Sequence, residues 1–319
     1  MSATVVEEAA LRAAVGLTAE AMAVVGEGFV ALSRGRATMP AILRLDVPGR
    51  RAEMDVKTAY LDGLPVFAVK MSTGFFDNAA LGLPSLGGLM VAFDAATGVV
   101  RAVLLDNGYL TDVRTALAGA LAARHLARAG ARTAAIVGTG TQARLQAEAL
   151  RLVRPIERFL VWGRDPARAR ACAADIAART GAEARAAGLE EAVRLADVVV
   201  TTTPSTTPLV RAAWLRPGQH VTAVGADAEH KAEVEPAALA LADRLVVDDR
   251  GQCARLGELH HAIAGGAVPP DVATVDLGAI IVGDAPGRRS DDELTLCDLT
   301  GTGAQDTAIA NHVLALLAR

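Results

Sequence analysis

The segment that most restricts the fold is Thr133-Ala-Ala-Ile-Val137, a buried-strand pattern running directly into Gly138-Thr139-Gly140-Thr141-Gln142-Ala143, with a helical stretch over 144–152 behind it. Strand, glycine turn and helix in that order open a βαβ unit. Gly138 permits the tight turn, Gly140 lets the backbone approach a pyrophosphate, and Ala143 is small enough for close helix-to-strand packing. The helix N-terminus adds unpaired amides and partial positive charge. The reading is a dinucleotide site with Gly138, Gly140, Thr141 and Gln142 at the phosphates.

Further strand patterns follow at 159–162, 197–202, 220–224, 244–247 and 294–297, separated by helices or loops. That alternation predicts a parallel sheet with right-handed crossovers. Ligands of such sheets lie at the carboxyl ends of the strands, so Thr202, Thr203, Val224 and Gly225 are expected on the nicotinamide side; a plain strand-ending loop is the alternative for the threonines. Past the second strand, Arg164 suits a 2′-phosphate and Asp165 a ribose hydroxyl, which leaves both NAD(H) and NADP(H) open. Asp227 follows the 220–224 strand, where a carboxylate can stabilise an iminium or exchange a proton with an amine; the competing reading is a helix N-cap.

The N-terminal part has a different period. Helical spacing covers 18–34, and alternating stretches flank the turns Asp62-Gly63 and Ala96-Thr97-Gly98, predicting an antiparallel sheet over about 44–105. Thr111-Asp112 are expected to precede a helix that runs through Arg128 with Gly130 as its stop, and another helix is expected over 304–317. Arg44, Lys70 and Arg114 offer cations from this part, although arginines in an arginine-rich chain are mostly solvated.

Of 32 Lys plus Arg only Lys57, Lys70 and Lys231 are lysine, which marks each as a place where a compact ammonium is wanted over a planar guanidinium. A net charge of −4 without blocks of like charge gives no footprint for nucleic acid or a membrane surface. The apolar residues, 52% of the chain, fall in runs too short to span a bilayer, and Glu7 and Glu8 are unlike a secretory leader. A soluble, cytoplasmic protein is expected. Cys172, Cys253 and Cys297 fit neither a disulfide framework nor a zinc site, so no metal is expected.

Several short motifs, taken in order, resemble the ornithine cyclodeaminase/μ-crystallin family over nearly the whole chain. They are Lys70 near the end of a hairpin strand, Asn78 followed by Gly82-Leu83-Pro84, Leu110-Thr-Asp-Val-Arg114-Thr-Ala116, the glycine motif with Gln142, Val224-Gly225-Ala226-Asp227 with Lys231 and Glu233, and Gly301-Thr-Gly303 with Gln305-Asp306. The resemblance implies an α/β protein with a Rossmann-type parallel-sheet domain, 118–298, and a second α+β domain with antiparallel strands, 1–117 with 299–319, that binds substrate and forms a homodimer interface. It also implies that Arg44, Lys70 and Arg114 hold a substrate carboxylate while Asp227 acts on its nitrogen. Where many members carry Met-Pro, this chain has Met54-Asp55-Val56-Lys57.

These expectations converge on NAD(P)H-dependent reduction of a small α-imino acid to an L-amino acid, with Asp227 and Lys70 as candidate catalytic residues. Within the family the overall pattern is nearest to members that reduce iminosuccinate. Pairing across Asp62-Gly63 brings Lys57 toward Lys70, and a second cation there suits a dicarboxylic substrate, iminosuccinate giving L-aspartate; a solvated edge-strand lysine is the alternative. One rival is a cyclodeaminase, with Glu53 toward a distal ammonium and Lys57 opposing it. Another is a binding protein without turnover.

Overall fold

The computed structural model describes residues 3–318 and divides the chain into two compact units, Met1–Arg114 with Thr302–Arg319, and Thr115–Gly301. In chain order the first unit holds β1 (Thr4–Glu7), α1 (Glu8–Ala14), α2 (Ala19–Ser33), β2 (Ala37–Thr38), β3 (Leu43–Asp46), β4 (Ala52–Leu61), β5 (Val66–Phe75), β6 (Leu86–Asp94) and β7 (Val100–Leu105). Helix α3 (Tyr109–Leu126) carries the chain onward. The second unit runs through β8 (Thr133–Val137), α4 (Thr141–Leu150), β9 (Arg158–Trp162), α5 (Pro166–Thr180), β10 (Glu183–Ala186), α6 (Leu189–Leu195), β11 (Val198–Thr201), β12 (Thr206–Val210) and β13 (His220–Ala223). It continues with β14 (Ala232–Val234), α7 (Pro236–Leu241), β15 (Arg244–Val247), α8 (Arg250–Leu256), α9 (Glu258–Ala264), β16 (Val275–Asp276), α10 (Leu277–Val282) and β17 (Thr295–Asp298), and α11 (Gly303–Leu317) returns to the first unit.

In the first unit the strands lie in the order β1-β7-β6-β5-β4-β2 with β3 also on β4, antiparallel except for β1 beside β7. The period-2 alternation sorts the residues onto two faces. Ala59, Ala68, Met90, Ala92 and Leu104 are fully buried on one face, where Ala59 and Leu61 share a core with Ala31, Ala304 and Ala308 of α2 and α11. The other face carries Val5, Val103, Val91 and Val69 in direct register, with Leu43 and Leu45 exposed on β3.

Helix α11 is pinned to the β4–β5 hairpin by more than apolar contact. Thr307 Oγ1 donates to Ala59 O at 2.7 Å and accepts from Ala68 N at 3.0 Å, and Asn311 brackets Val66 through both N and O. A Cβ on Gly303 would lie 2.3 Å from Thr58 O, so only glycine lets the helix start this close to β4. Helix α3 starts at Tyr109, so Thr111 and Asp112 lie inside it where they were expected to precede it. The cause is Asp106, whose Oδ2 accepts from Leu110 N at 2.9 Å after a left-handed turn at Asn107 and Gly108.

In the second unit eight parallel strands follow the order β10-β9-β8-β11-β13-β17-β15-β16. The chain runs outward from β8 to β10 and then lays β11 on the other side of β8, so the order reverses between β8 and β11. Ligands of doubly wound sheets bind at that reversal, outside the strand carboxyl ends. The expected parallel sheet is present, with β10 and β16 as additional edge strands. Glu-Ala-Arg-Ala in β10 has no apolar run to read.

Among the described residues no single helix is long and apolar enough to cross a membrane; α1 with α2, bent by 100°, passes on length and composition as a pair.

Candidate active site

Candidate residues cluster separately within each unit. In the second unit Gly138 has φ +133°, and a Cβ there would sit 2.3 Å from Thr202 Oγ1, while Thr202 N donates to Val137 O at 2.9 Å. Glycine is required for β8 to close against the loop after β11. Gly140 differs. It precedes α4 with no side-chain cap, and a Cβ on it would meet nothing within 4 Å. Open space at an uncapped helix N-terminus fits a dinucleotide pyrophosphate.

Thr141 is exposed in the first turn of α4, and Gln142 Oε1 accepts from Gln146, which also donates to Thr115 O at 3.0 Å. Arg144, read in the sequence only as the start of a helical stretch, donates to Thr139 O at 2.8 Å and Gly140 O at 3.1 Å and pairs with Asp175, bracing the glycine loop. Arg164 is exposed just past β9. Asp165 caps α5 through Oδ1, accepting from Ala167 N at 2.8 Å and Arg168 N at 3.3 Å, so the carboxylate assigned to a ribose hydroxyl already serves a helix end.

Asp227 lies in the loop after β13 and is no helix cap; its Oδ1 is 2.7 Å from Lys231 Nζ. The lysine side chain is 6% exposed and the aspartate 35%, so the ammonium is held inside and the carboxylate looks outward. That orientation suits a carboxylate acting on a ligand nitrogen.

Glu233, named in the sequence only as part of a motif, proves structurally central to the nearby loops. It is fully buried on β14; Oε2 accepts from Thr201 Oγ1 at 2.7 Å and Gly225 N at 2.8 Å, and Oε1 from Thr203 N at 2.5 Å. Burial pushes its carboxyl up to about 7 against the pull of these donors. Among the described residues no group of three or more His, Cys, Asp or Glu is placed to hold a metal ion.

In the first unit Lys57 and Lys70 stand directly opposite each other on β4 and β5, 5% and 2% exposed. The solvated edge reading of Lys57 is therefore overturned. Lys70 Nζ lies 2.8 Å from Asp306 Oδ2, and Arg114 Nε donates to Asp306 Oδ1 at 3.0 Å. Arg114 also donates to Gln305 Oε1 at 3.3 Å, and the same oxygen accepts from Thr302 N at 2.8 Å in the capping box of α11. Burial, reinforced by Arg114 and Lys57, pulls Lys70 down to about 7 although Asp306 opposes it. Burial acts against ionisation of Asp306 too, but Lys70 and Arg114 win and hold it below the usual carboxylate range.

Arg44 belongs to a separate group on the same sheet face. Its guanidinium meets Glu53 at 2.5 Å, Asp46 at 2.8 Å and Asp55 at 3.7 Å, so acids rather than the other two cations surround it. Arg44 and Lys70 thus share one sheet face with Asp55 and Lys57 of β4 between them, each making its own ion pairs. Asp306 and Asp55 were the residues whose charge the sequence reading left without a task.

The sequence profile described as the ornithine cyclodeaminase/mu-crystallin family matches residues 3–317. The chain belongs to this family. Two bacterial family relatives are close in sequence. A Rhizobium meliloti protein carried as an unproven dehydrogenase is 53% identical, over 98% of this chain and 94% of its own. An uncharacterised cyclodeaminase of Sinorhizobium fredii is 51% identical, over 96% and 93%. Three solved structures share the family's fold. The Thermococcus litoralis Δ1-pyrroline-2-carboxylate reductase with NADH and L-proline has TM-score 0.93 at 25% identity, covering 99% of this chain and 97% of that one. An archaeal alanine dehydrogenase dimer with NAD gives 0.92 at 32%, covering 100% and 97%. The Paracoccus denitrificans iminosuccinate reductase with NAD+ gives 0.89 at 31%, covering 99% and 96%.

Proposed function

We propose that this chain is a nicotinamide-dependent oxidoreductase that reduces a small α-imino acid to an L-amino acid, with iminosuccinate, giving L-aspartate, as its preferred substrate. The observation that carries the reading is the buried cluster that gathers the cationic side chains of Lys57, Lys70 and Arg114 near Asp306 on one sheet face. Cationic side chains brought together in this way suit an anionic ligand. An α-carboxylate would take Lys70 and Arg114, and a second carboxylate would take Lys57. Asp306 keeps the two α-carboxylate cations oriented before substrate arrives.

A bound nicotinamide would supply the hydride; the relatives solved with NAD+, NAD or NADH support that cofactor class. Gly138, Gly140 and Thr141 would hold its pyrophosphate, with Gln142 behind them, and Thr202, Thr203, Val224 and Gly225 its nicotinamide end. Arg164 would read the adenine-side ribose, together with Asp165 through the oxygen that does not cap α5. Asp227 would keep the substrate nitrogen protonated, because an iminium accepts hydride far more readily than a neutral imine. Lys231 Nζ, 2.7 Å from Asp227 Oδ1, would fix where that carboxylate stands.

The apolar sheet face bearing Val5, Leu43, Leu45 and Val103 supports a homodimer through the first unit, and sedimentation of the purified protein at twice the chain mass is the expected result. The three cysteines are buried and free, which goes with a cytoplasmic setting.

Glu53 and Asp55 favour a second reading. Both are buried, and an acid pair beside the cationic cluster suits a diamino acid with a distal ammonium, as in a cyclodeaminase. One assay separates the two. Purified protein is supplied with NADH or NADPH and a panel of 2-oxo acids with ammonia, oxaloacetate included, and separately with ornithine and NAD+. Nicotinamide oxidation that is fastest with oxaloacetate and ammonia is expected. Ammonia release from ornithine without net change in nicotinamide absorbance would replace reduction by the lyase reading.

A further inference from the structure

We infer that Glu233 is a positioning residue that clasps the loops after β11 and β13 into the surface against which the nicotinamide ring lies; the inference rests on the nucleotide site proposed above. Strands β11 and β13 are parallel neighbours, and past Thr201 and Ala223 their ladder ends. Val224 N still donates across to Thr201 O at 3.2 Å, and the strand register goes no further. One carboxylate replaces the ladder. Thr201 Oγ1 and Thr203 N donate to it from the first loop and Gly225 N from the second, at 2.7, 2.5 and 2.8 Å.

The clasp is built for close approach. A Cβ on Gly225 would fall 2.2 Å from Thr203 O and 2.6 Å from Glu233 Oε2, so the second loop reaches the first only because residue 225 has no side chain. Glu233 is itself held from behind, since Glu258 accepts from the amides of Glu233 and Val234 at 2.8 and 3.2 Å. A fully buried carboxylate whose backbone is fixed and whose two oxygens take three donors has no slack. Shifting it moves both loops together.

The pyrophosphate end has its own fastening. Arg144 braces the carbonyls of Thr139 and Gly140, and none of the three donors on Glu233 comes from the glycine loop. Loss of the clasp should therefore disturb the nicotinamide end of a bound dinucleotide and spare the ADP-ribose part.

The test measures binding of NADH and of ADP-ribose, which lacks the nicotinamide, by calorimetry, together with the emission spectrum of bound NADH. Glu233→Gln keeps the shape but turns one acceptor into a donor facing an N–H or O–H. It should weaken NADH by about tenfold or more and return its emission toward that of free NADH, with ADP-ribose held within about twofold. Thr201→Val, a milder isosteric change that deletes one donor, should move the same readouts in the same direction by less. Equal weakening of NADH and ADP-ribose would reduce Glu233 to a general structural role. Unchanged NADH affinity and emission in both variants would also overturn the inference. Failure of the unaltered protein to bind either ligand would instead remove the nucleotide reading on which it stands.

Discussion

Lys70 Nζ and Asp306 Oδ2 lie 2.8 Å apart with side-chain exposures of 3% and 0%, an ion pair closed off from solvent between a hairpin strand and the first turn of the C-terminal helix. The pair joins residues far apart in sequence, and it exists because Thr307 and Gly303 bring α11 onto β4 and β5. Arg114 completes the group from α3. Such a pair is a weak source of net stability, because desolvation of both charges offsets most of their attraction. Its effect is orientation: an ammonium and a guanidinium are fixed side by side, as the proposed carboxylate site requires.

The first prediction is a pH dependence with two opposite signs. With its proton lost above about 7, Lys70 holds an anionic substrate less well, so KM for an α-carboxylate substrate should rise as pH climbs from 7 toward 9. Stability should run the other way on account of this group. Folded Lys70 releases its proton near 7 while the unfolded chain keeps it to the ordinary 10.5, so over that window the unfolded state binds more protons and folding is favoured by rising pH. In Lys70→Arg, which stays charged throughout, KM should be flat. A KM that rises identically in Lys70→Arg would assign the titration elsewhere.

The two glycines of the nucleotide motif should fail in different ways. Gly140 faces open space, so Gly140→Val should leave the urea midpoint nearly unchanged and abolish nucleotide binding by filling the place of the pyrophosphate. Gly138→Ala should destabilise the fold itself, by about 1–3 kcal/mol, because its φ of +133° is foreign to alanine and its methyl meets Thr202 at 2.3 Å. A folded Gly140→Val that binds NADH with wild-type affinity in calorimetry would remove the site from this motif.

Much of this second unit was legible because its signals are local. A strand, two glycines and a helix start lie within twenty residues, and the parallel strands after them are continuous apolar runs. Substrate-side charge was harder to read. Lys57 and Lys70 could be paired across Asp62-Gly63 because a hairpin fixes its own register, and they do stand opposite. Nothing local said that Asp306 would enter between Lys70 and Arg114, or that Arg44 would be claimed by Asp46 and Glu53. Those partners depend on tertiary packing within the unit. Asp165 shows the same limit at short range, since a carboxylate just before a helix reads equally as a ligand or a cap until the helix is seen to start at Pro166.

Asp227 and Lys231 allow catalysis and stability to be separated. Asp227→Asn should cut kcat by a factor of about a hundred or more if the carboxylate stabilises a protonated nitrogen in the transition state. It also weakens the pairing with the buried ammonium of Lys231, at a cost of about 1–2 kcal/mol, discounted because Asp227 is partly exposed. Adding Lys231→Met to Asp227→Asn should recover the stability and none of the rate. Recovery of kcat in the double variant would make the pair a structural element only.

The last prediction concerns substrate choice and tests the finer part of the proposed function. Lys57 faces Lys70 on buried neighbouring strands, and on its own strand the next residue on the same face is Asp55, which leans toward Arg44 at 3.7 Å. The order along this face is thus Lys70, Lys57, Asp55, Arg44, cationic at the α-carboxylate end and acidic beyond. A four-carbon dicarboxylate held by Lys70 and Arg114 at one end should place its second carboxylate at Lys57, before the acids begin. A longer chain with a distal ammonium would bypass Lys57 and reach Asp55 and Glu53. Lys57→Met keeps the aliphatic stem and removes the charge, so kcat/KM for iminosuccinate should fall by about 1.5–3 kcal/mol, the range for a hydrogen bond to a charged group, while imino acids with apolar side chains lose much less. The matching change Asp55→Asn should leave iminosuccinate reduction faster or unaltered, because it removes a negative charge near the second carboxylate. Equal losses for dicarboxylic and apolar substrates in Lys57→Met would take Lys57 out of substrate selection. A gain of activity toward ornithine in that variant, with loss of it in Asp55→Asn, would shift the assignment to the distal-ammonium reading.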